Sequence, residues 1–230
     1  MYKNKNVEKS EDTTSSQDNT KKQTVKEILI DFLKETLDTL FCVVVMVILI
    51  RFFIGEIRWI PSASMRPTLL EGDRIFVERF SRFFTEPKRG DVMIFYPPQE
   101  ELKTDAMSVF RRLIGIKCTD IAYIKRVVGM PGDKFEVVEF PDGHYQVYIN
   151  DKPLKEPYIM SPDDYTPCTA EMYCGPMEIP EGQYFMMGDN RGNSQDSRYW
   201  GLLPKERFIG KALFLFWPLN RINVFEHQNY

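Results

Sequence analysis

The chain has 230 residues, 43% of them apolar and 27% charged, and 30 Lys and Arg stand against 33 Asp and Glu. So even a balance argues against a nucleic-acid binder, which carries a strong basic excess. A mean hydropathy of −0.34 excludes a multi-span membrane protein, although such an average can conceal one local span.

Residues 1–24 are mostly Lys, Asn, Glu, Ser, Asp and Thr, with almost nothing apolar to offset chain entropy by burial. This composition predicts a disordered tail. From Val25 the pattern changes: Val25, Ile28, Leu29, Phe32, Leu33 and Leu37 recur at helical spacing and predict an amphipathic helix. It runs into Leu40–Ile50, a stretch without a polar side chain. Leu37 to Ile57 would measure about 31 Å as a helix, enough to span the hydrocarbon of a bilayer. Arg51 lies near its end, where a guanidinium can snorkel to the interface. The apolar run alone also suits a buried core helix or the h-region of a signal peptide. The long leader and the lack of a small-x-small site after Ile50 favour a retained anchor. Lys21, Lys22, Lys26 and Lys34 place the N-terminal side in the cytoplasm, although Arg58 and Arg66 weaken that bias. The expectation is a cytoplasmic tail (1–24), a helix and single-pass cell-membrane anchor (25–57), and an extracytoplasmic domain (58–217).

That domain reads as mainly β and antiparallel. Short β-rich runs cover Arg74–Glu78, Val92–Tyr96, Ala122–Val128, Phe135–Phe140, Tyr145–Asn150, Gln183–Met187 and Ile209–Trp217. Gly-Asp pairs precede several of them, at Gly72-Asp73, Gly90-Asp91 and Gly132-Asp133. No helical pattern of ten or more residues stands out after residue 60. Residues 151–180 break the rhythm with six prolines and Cys168 and Cys174, which predicts a small loop-rich cap. The two cysteines suit a local disulfide or two free thiols equally. Residues 218–230 read as a C-terminal tail.

Histidine is scarce. His144 falls in a hairpin turn and His227 near the C-terminus, so neither is placed as a buried base. The cysteines lack metal-binding spacing and no Gly-rich nucleotide pattern occurs, so neither metal nor cofactor is expected. A hydrolase built on this chain needs another base, and lysine is the usual substitute.

Three segments offer the parts. Pro61–Thr68 (PSASMRPT) holds Ser62 and Ser64 between prolines beside the expected anchor; by itself it reads as an ordinary loop. Tyr123–Asp133 (YIKRVVGMPGD) on a strand puts Tyr123, Lys125 and Val127 on one face. A lysine there is ordinarily solvated; burial would lower its pKa toward 8, for roughly 3 kcal/mol of desolvation. A neutral amine can then take a serine proton. Gly188–Arg198 (GDNRGNSQDSR) is a polar loop in which Asp196 and Arg198 can pair and Ser194 can hydrogen-bond an amine.

Together these segments resemble the bacterial type I signal peptidase (leader peptidase) family. Its PSxSMxPT is matched by Pro61–Thr68, its YIKRxxGxPGD by Tyr123–Asp133 and its GDNRxNSxDSR by Gly188–Arg198. The resemblance runs from the anchor to about Trp217. It implies an antiparallel coiled β-sheet catalytic domain, related to the LexA-type Ser/Lys peptidases, behind one transmembrane helix. By the same resemblance Ser64 is the nucleophile and Lys125 its general base. The Ser64 N–H and the Ser62 hydroxyl match the oxyanion hole, Ser194 matches the serine that orients the lysine, and Asp196 with Arg198 matches a structural ion pair. The implied partners are the lipid bilayer and secreted pre-proteins with small residues at −1 and −3. Shallow apolar pockets beside an edge strand would read those residues, with Met65, Ile60, Ile124 and Phe76 as candidate linings. Trp59, Ile60, Phe83 and Phe84 would form an apolar rim against the bilayer. Gly192 departs from the family's frequent Asp, which bears on the stiffness of its loop. Two alternatives remain. A self-cleaving LexA-type peptidase is disfavoured by a membrane helix where a DNA-binding module would stand. A membrane-anchored β binding module without chemistry would leave Ser64 and Lys125 exchangeable.

Overall fold

The computed structural model describes residues 25–114, 121–161 and 163–225. The expected tail 1–24 and His227 lie outside them. Helix α1 (Val25–Leu49) is followed by one wide π-type turn, Ile50–Ile54. Through Val44 every residue of α1 is exposed, its apolar side chains included.

The chain then becomes extended. Strand β1 (Gly55–Trp59) pairs antiparallel with β2 (Arg74–Glu78), setting Ile57 opposite Phe76 and Trp59 opposite Arg74. The stretch 37–57 is therefore not one helix. Ladder bonds to β2 draw the backbone out of the helical path at Gly55, and Lys34, Glu35 and Asp38 interrupt the apolar surface of α1. Among the described residues no helix is long and apolar enough to cross a membrane.

From β1 onward the architecture is antiparallel β. The strands that follow β2 are β3 (Val92–Phe95), β4 (Tyr123–Gly129), β5 (Lys134–Glu139), β6 (Tyr145–Ile149), β7 (Lys152–Pro153), β8 (Met177–Glu178), β9 (Gln183–Met187), β10 (Leu203–Pro204), β11 (Phe208–Trp217) and β12 (Asn223–Val224). The larger sheet runs β1-β2-β11-β3-β4-β9-β10, with β12 added on β11; the smaller runs β7-β6-β5-β8. Register shifts interrupt β11 against both β2 and β3, and β4 against β9. Such bulges bend and twist strands, so the large sheet can wrap its own core.

One turn design recurs at the strand entrances. In Leu70–Asp73, Lys88–Asp91 and Met130–Asp133 the glycine takes φ of 90°, 91° and 81°, which a side chain would resist. Each following Asp N–H donates back to the first carbonyl of its turn, at 3.0–3.1 Å. Each Asp carboxylate accepts from the first N–H, at 2.7, 3.0 and 2.7 Å. The Gly-Asp pairs are thus two-bond corners that start β2, β3 and β5.

The core has three parts. Ile60, Met65, Leu69, Ile75, Val77, Ile124 and Leu215 pack on one face of the large sheet, and Met93, Phe95, Val127, Met186 and Phe208 on the other. Phe135, Val147, Ile179 and Phe185 join the smaller sheet to β9. The proline-rich segment 151–180 packs on this third cluster through Leu154, Tyr165 and Cys174, and a Cys168–Cys174 disulfide closes it. A helix that periodicity did not reveal, α2 (Ala106–Ile114), falls one residue short of the length that makes a helical pattern stand out. After Trp217 the chain folds back through β12, and Arg221 reaches Asp73 at 3.1 Å.

Candidate active site

Ser64 stands in a single tight turn, Ala63–Met65, inside the loop between β1 and β2. The ends of that loop are tied: Ile60 N–H donates to the Asp73 carbonyl and Gly72 N–H to the Ile60 carbonyl, both at 2.9 Å. Met65 and Leu69 are wholly buried beneath it, so apolar packing fixes the turn while Ser64 stays 8% exposed.

Lys125 comes from β4, opposite Met93 of β3, and is 4% exposed. Its Nζ lies 2.7 Å from Ser64 Oγ and donates to the Ile124 carbonyl at 3.1 Å. Burial pushes the Lys125 ammonium down to about 8; Asp196 and Asp189 pull the other way, and Arg198 adds to the fall. At pH 7 roughly a tenth of such lysines are neutral, against about one in three thousand at the ordinary value. A hydroxyl at hydrogen-bond distance from a partly neutral amine is the geometry of an activated nucleophile.

The Ser62 hydroxyl lies 3.4 Å from Ser64 Oγ, on the same side of a cleft of about 420 Å³. Residues 121–124 form a second wall, and Asn193 and Gln195 a third. Of the four expected pocket residues, only Ile124 lines this cleft. Ile60 and Met65 are buried in the core, because their loop is anchored there, and Phe76 stacks on Phe214 at 5.2 Å. Ile60 is therefore no part of an exposed rim either. Tyr123–Lys125 pair with β3 on one edge, whereas β9 joins β4 only from Arg126 onward. Beside the cleft, β4 thus has one edge that no described strand occupies.

A buried ionic junction brings the three segments together. Asp189 is fully buried and receives two bonds from Arg126, at 2.8 and 2.6 Å, and one from the Thr68 hydroxyl at 2.5 Å. Thr68, Arg126 and Asp189 each belong to a different segment. The sequence alone assigns none of the three a role. Asn193 and Gln195 lacked any signal beyond membership of the polar loop.

Asp196 and Arg198 are both 0% exposed and pair at 2.8 and 2.9 Å. Burial pushes the Asp196 carboxyl up, but the Arg198 guanidinium bonded to it prevails and holds it below the ordinary value. Its Oδ2 also accepts the Gly188 N–H at 3.0 Å, bracing the start of the loop. Gly188 is required by proximity: a Cβ there would lie 2.3 Å from Ser194 Oγ and 2.4 Å from the Ser64 carbonyl oxygen. Ser194 is buried close to the nucleophile turn, but its hydroxyl makes no hydrogen bond to the Lys125 amine. At Gly192 a Cβ would fall 2.2 Å from Asp164 Oδ1, so the segment 151–180 presses directly on this loop.

His144 stacks on Phe140 in the β5–β6 turn. Among the described residues no group of three or more His, Cys, Asp or Glu could hold a metal ion.

Comparison with known proteins places the chain in a family. The family described as "Signal peptidase, peptidase S26" matches residues 33–217. The chain is 40% identical to "Probable signal peptidase I-1" of Synechocystis sp. over 83% of its length and 85% of that protein. It is 42% identical to "Signal peptidase I" of Leptolyngbya laminosa, over 83% of this chain and 82% of the relative. It is 39% identical to "Probable signal peptidase I-2" of Synechocystis sp., over 81% and 74%. With the family match covering residues 33–217 and identities of 40% and 42% over 83% of its length, the chain belongs to the signal peptidase family, peptidase S26.

Proposed function

We propose that this protein is a serine endopeptidase that removes signal peptides from secreted pre-proteins with a Ser64/Lys125 dyad. The observation that carries the reading is the buried 2.7 Å approach of Lys125 Nζ to Ser64 Oγ. Ser64 Oγ attacks the scissile carbonyl carbon while its proton passes to the neutral Lys125 amine. The carbonyl oxygen becomes an oxyanion, held by the Ser64 N–H and the Ser62 hydroxyl. As the C–N bond breaks, the Lys125 ammonium returns the proton to the leaving amine, and an ester joins substrate to Ser64. Lys125 then takes a proton from water as its oxygen attacks the ester carbon; the C–Oγ bond breaks, the Lys125 ammonium returns the proton to Ser64 Oγ, and the acid product leaves. Ser194 supports Lys125 through its place in the packed loop. Asp196 and Arg198 are structural.

The substrate adds as a strand along the free edge of β4, with its small −1 and −3 side chains in the cleft beside Ile124. Attachment to the cell membrane is supported by exposed apolar surface, and placement of the catalytic domain on the extracytoplasmic side by Lys21, Lys22, Lys26 and Lys34 before the apolar run. Leu40–Ile50 carries no charge, and Ile57, Trp59, Phe83 and Phe84 are exposed. Across the large sheet, Ile57, Phe76, Phe214 and Val224 share one face at paired positions. Such a face with aromatic members suits the interface of a bilayer.

The test is reconstitution with a pre-protein carrying Ala-x-Ala before its cleavage site. Ser64→Ala and Lys125→Ala should each lower cleavage by at least about a thousandfold. Full cleavage by either variant would refute the dyad. Binding without cleavage by the wild type would favour a binding module.

A further inference from the structure

The turn that carries Ser64 is held from one side by a residue that the chemistry above leaves unused. Asn190 follows Asp189 in the loop and is 5% exposed. Its backbone N–H donates to the Ser64 carbonyl at 3.1 Å, and its side-chain Nδ2 donates to the Ala63 carbonyl at 3.1 Å. The Ala63 carbonyl also accepts the Arg66 N–H at 3.1 Å, which closes the turn. Two donors therefore converge on one oxygen.

That oxygen belongs to the peptide unit whose other end is the Ser64 N–H. In a trans peptide the C=O and N–H point in opposite directions, so fixing one fixes the other. The Asn190 amide, by holding the Ala63 oxygen, turns the Ser64 N–H away from its own loop. Two bonds to the carbonyl also polarise the unit and strengthen its N–H as a donor. Asn190 Oδ1 is buried without a hydrogen-bond partner. What this amide contributes therefore lies at its nitrogen.

We propose that Asn190 is a positioning residue for the oxyanion donor: its carboxamide aims the Ser64 N–H through the Ala63 carbonyl. The inference rests on the peptidase reading above. It concerns the step in which charge develops on the substrate oxygen, so it predicts loss at that step alone.

The test compares wild type, Ser64→Ala, Asn190→Ala and Asn190→Asp on the same pre-protein. It also uses a peptide aldehyde and the matching peptide carboxamide as probes. The aldehyde carbon bonds to Ser64 Oγ as its C=O opens to an oxyanion and the hydroxyl proton moves to Lys125. The carboxamide only binds. Asn190→Ala should lower kcat by roughly tenfold, less than loss of a direct oxyanion donor. KM should stay within about twofold. Aldehyde affinity should fall with kcat, while carboxamide affinity and the pH dependence of kcat remain those of the wild type. Asn190→Asp keeps the shape but faces the Ala63 oxygen with another acceptor; it should show the same pattern, and it decides the question if the alanine variant does not fold. Wild-type kcat in both variants would overturn the proposal. So would equal weakening of both probes or a moved pH profile, which indicate general loosening of the site. If the wild type binds the carboxamide and cleaves nothing, the peptidase reading falls first, and that result is distinct from an unaffected Asn190 variant.

Discussion

Replacing Lys125 with methionine should make the protein more stable while removing its activity. The fall of the Lys125 pKa from 10.5 to about 8 means that folding disfavours the ammonium by about 3 kcal/mol. Methionine has a similar length and carries no charge, so this penalty disappears. The lost hydrogen bond to Ser64 offsets about 1 kcal/mol of the gain. A net increase of about 2 kcal/mol at pH 7 corresponds to a Tm rise of roughly 4–8 °C for a domain of this size. The pH dependence gives the sharper check. Below about pH 8 the lysine is protonated in folded and unfolded chains alike, and the folded state bears the full penalty. Between about 8 and 10.5 the folded chain releases its proton while the unfolded chain keeps it, so wild-type stability rises. Above 10.5 both are neutral and the penalty is gone. Urea unfolding of both proteins at several pH values should therefore show the advantage of Lys125→Met shrinking from pH 8 upward. A variant less stable than wild type at pH 7, or an advantage that ignores pH, would show that Lys125 is not strained by burial.

Other consequences are open to direct measurement. Because the neutral amine is the active form, kcat/KM should rise with pH and level off above about 8; a flat profile from pH 6 to 9 would count against Lys125 as base. Gly188→Ala should lower both activity and stability, the latter by about 1–3 kcal/mol, because the new methyl meets the Ser64 carbonyl and Ser194 Oγ. Wild-type denaturation and cleavage curves for that variant would disprove the close approach. Asp196→Ala leaves Arg198 buried without its partner and should cost about 3–5 kcal/mol, read from denaturant midpoints, whereas Asp196→Ala combined with Arg198→Met should recover part of the loss.

Much of the β domain was legible because its turns advertise themselves. Glycine at the left-handed position and an aspartate that bonds back across the corner are local chemistry, and each marks the start of a strand. The approach of Lys125 to Ser64 was legible for a different reason: scarce histidine pointed to lysine as a substitute base, and the resemblance of three segments to the signal peptidase family singled out Lys125 and Ser64. Strand β1 was hidden by its own position. Its alternating Glu56-Ile57-Arg58-Trp59 follows an apolar run, and only pairing with β2 shows where the helix must stop. The Thr68–Arg126–Asp189 junction could not be seen locally, because its members are separated by 58 to 121 residues. The cleft linings were misplaced for the same reason. Ile60 and Met65 flank the nucleophile in the chain, yet they point into the core that holds it.

The contact between Gly192 and Asp164 also constrains how this chain can change over generations. The space a side chain at 192 would need is taken by a carboxylate from another segment, 2.2 Å from the missing Cβ. The exposed Asp164 carboxylate can turn away, but its backbone oxygen stands 3.0 Å from the same point, so any side chain at 192 also asks the segment 151–180 to shift. An aspartate at 192 would add repulsion from Asp164; a small neutral residue at 164 would ease that charge without clearing the backbone.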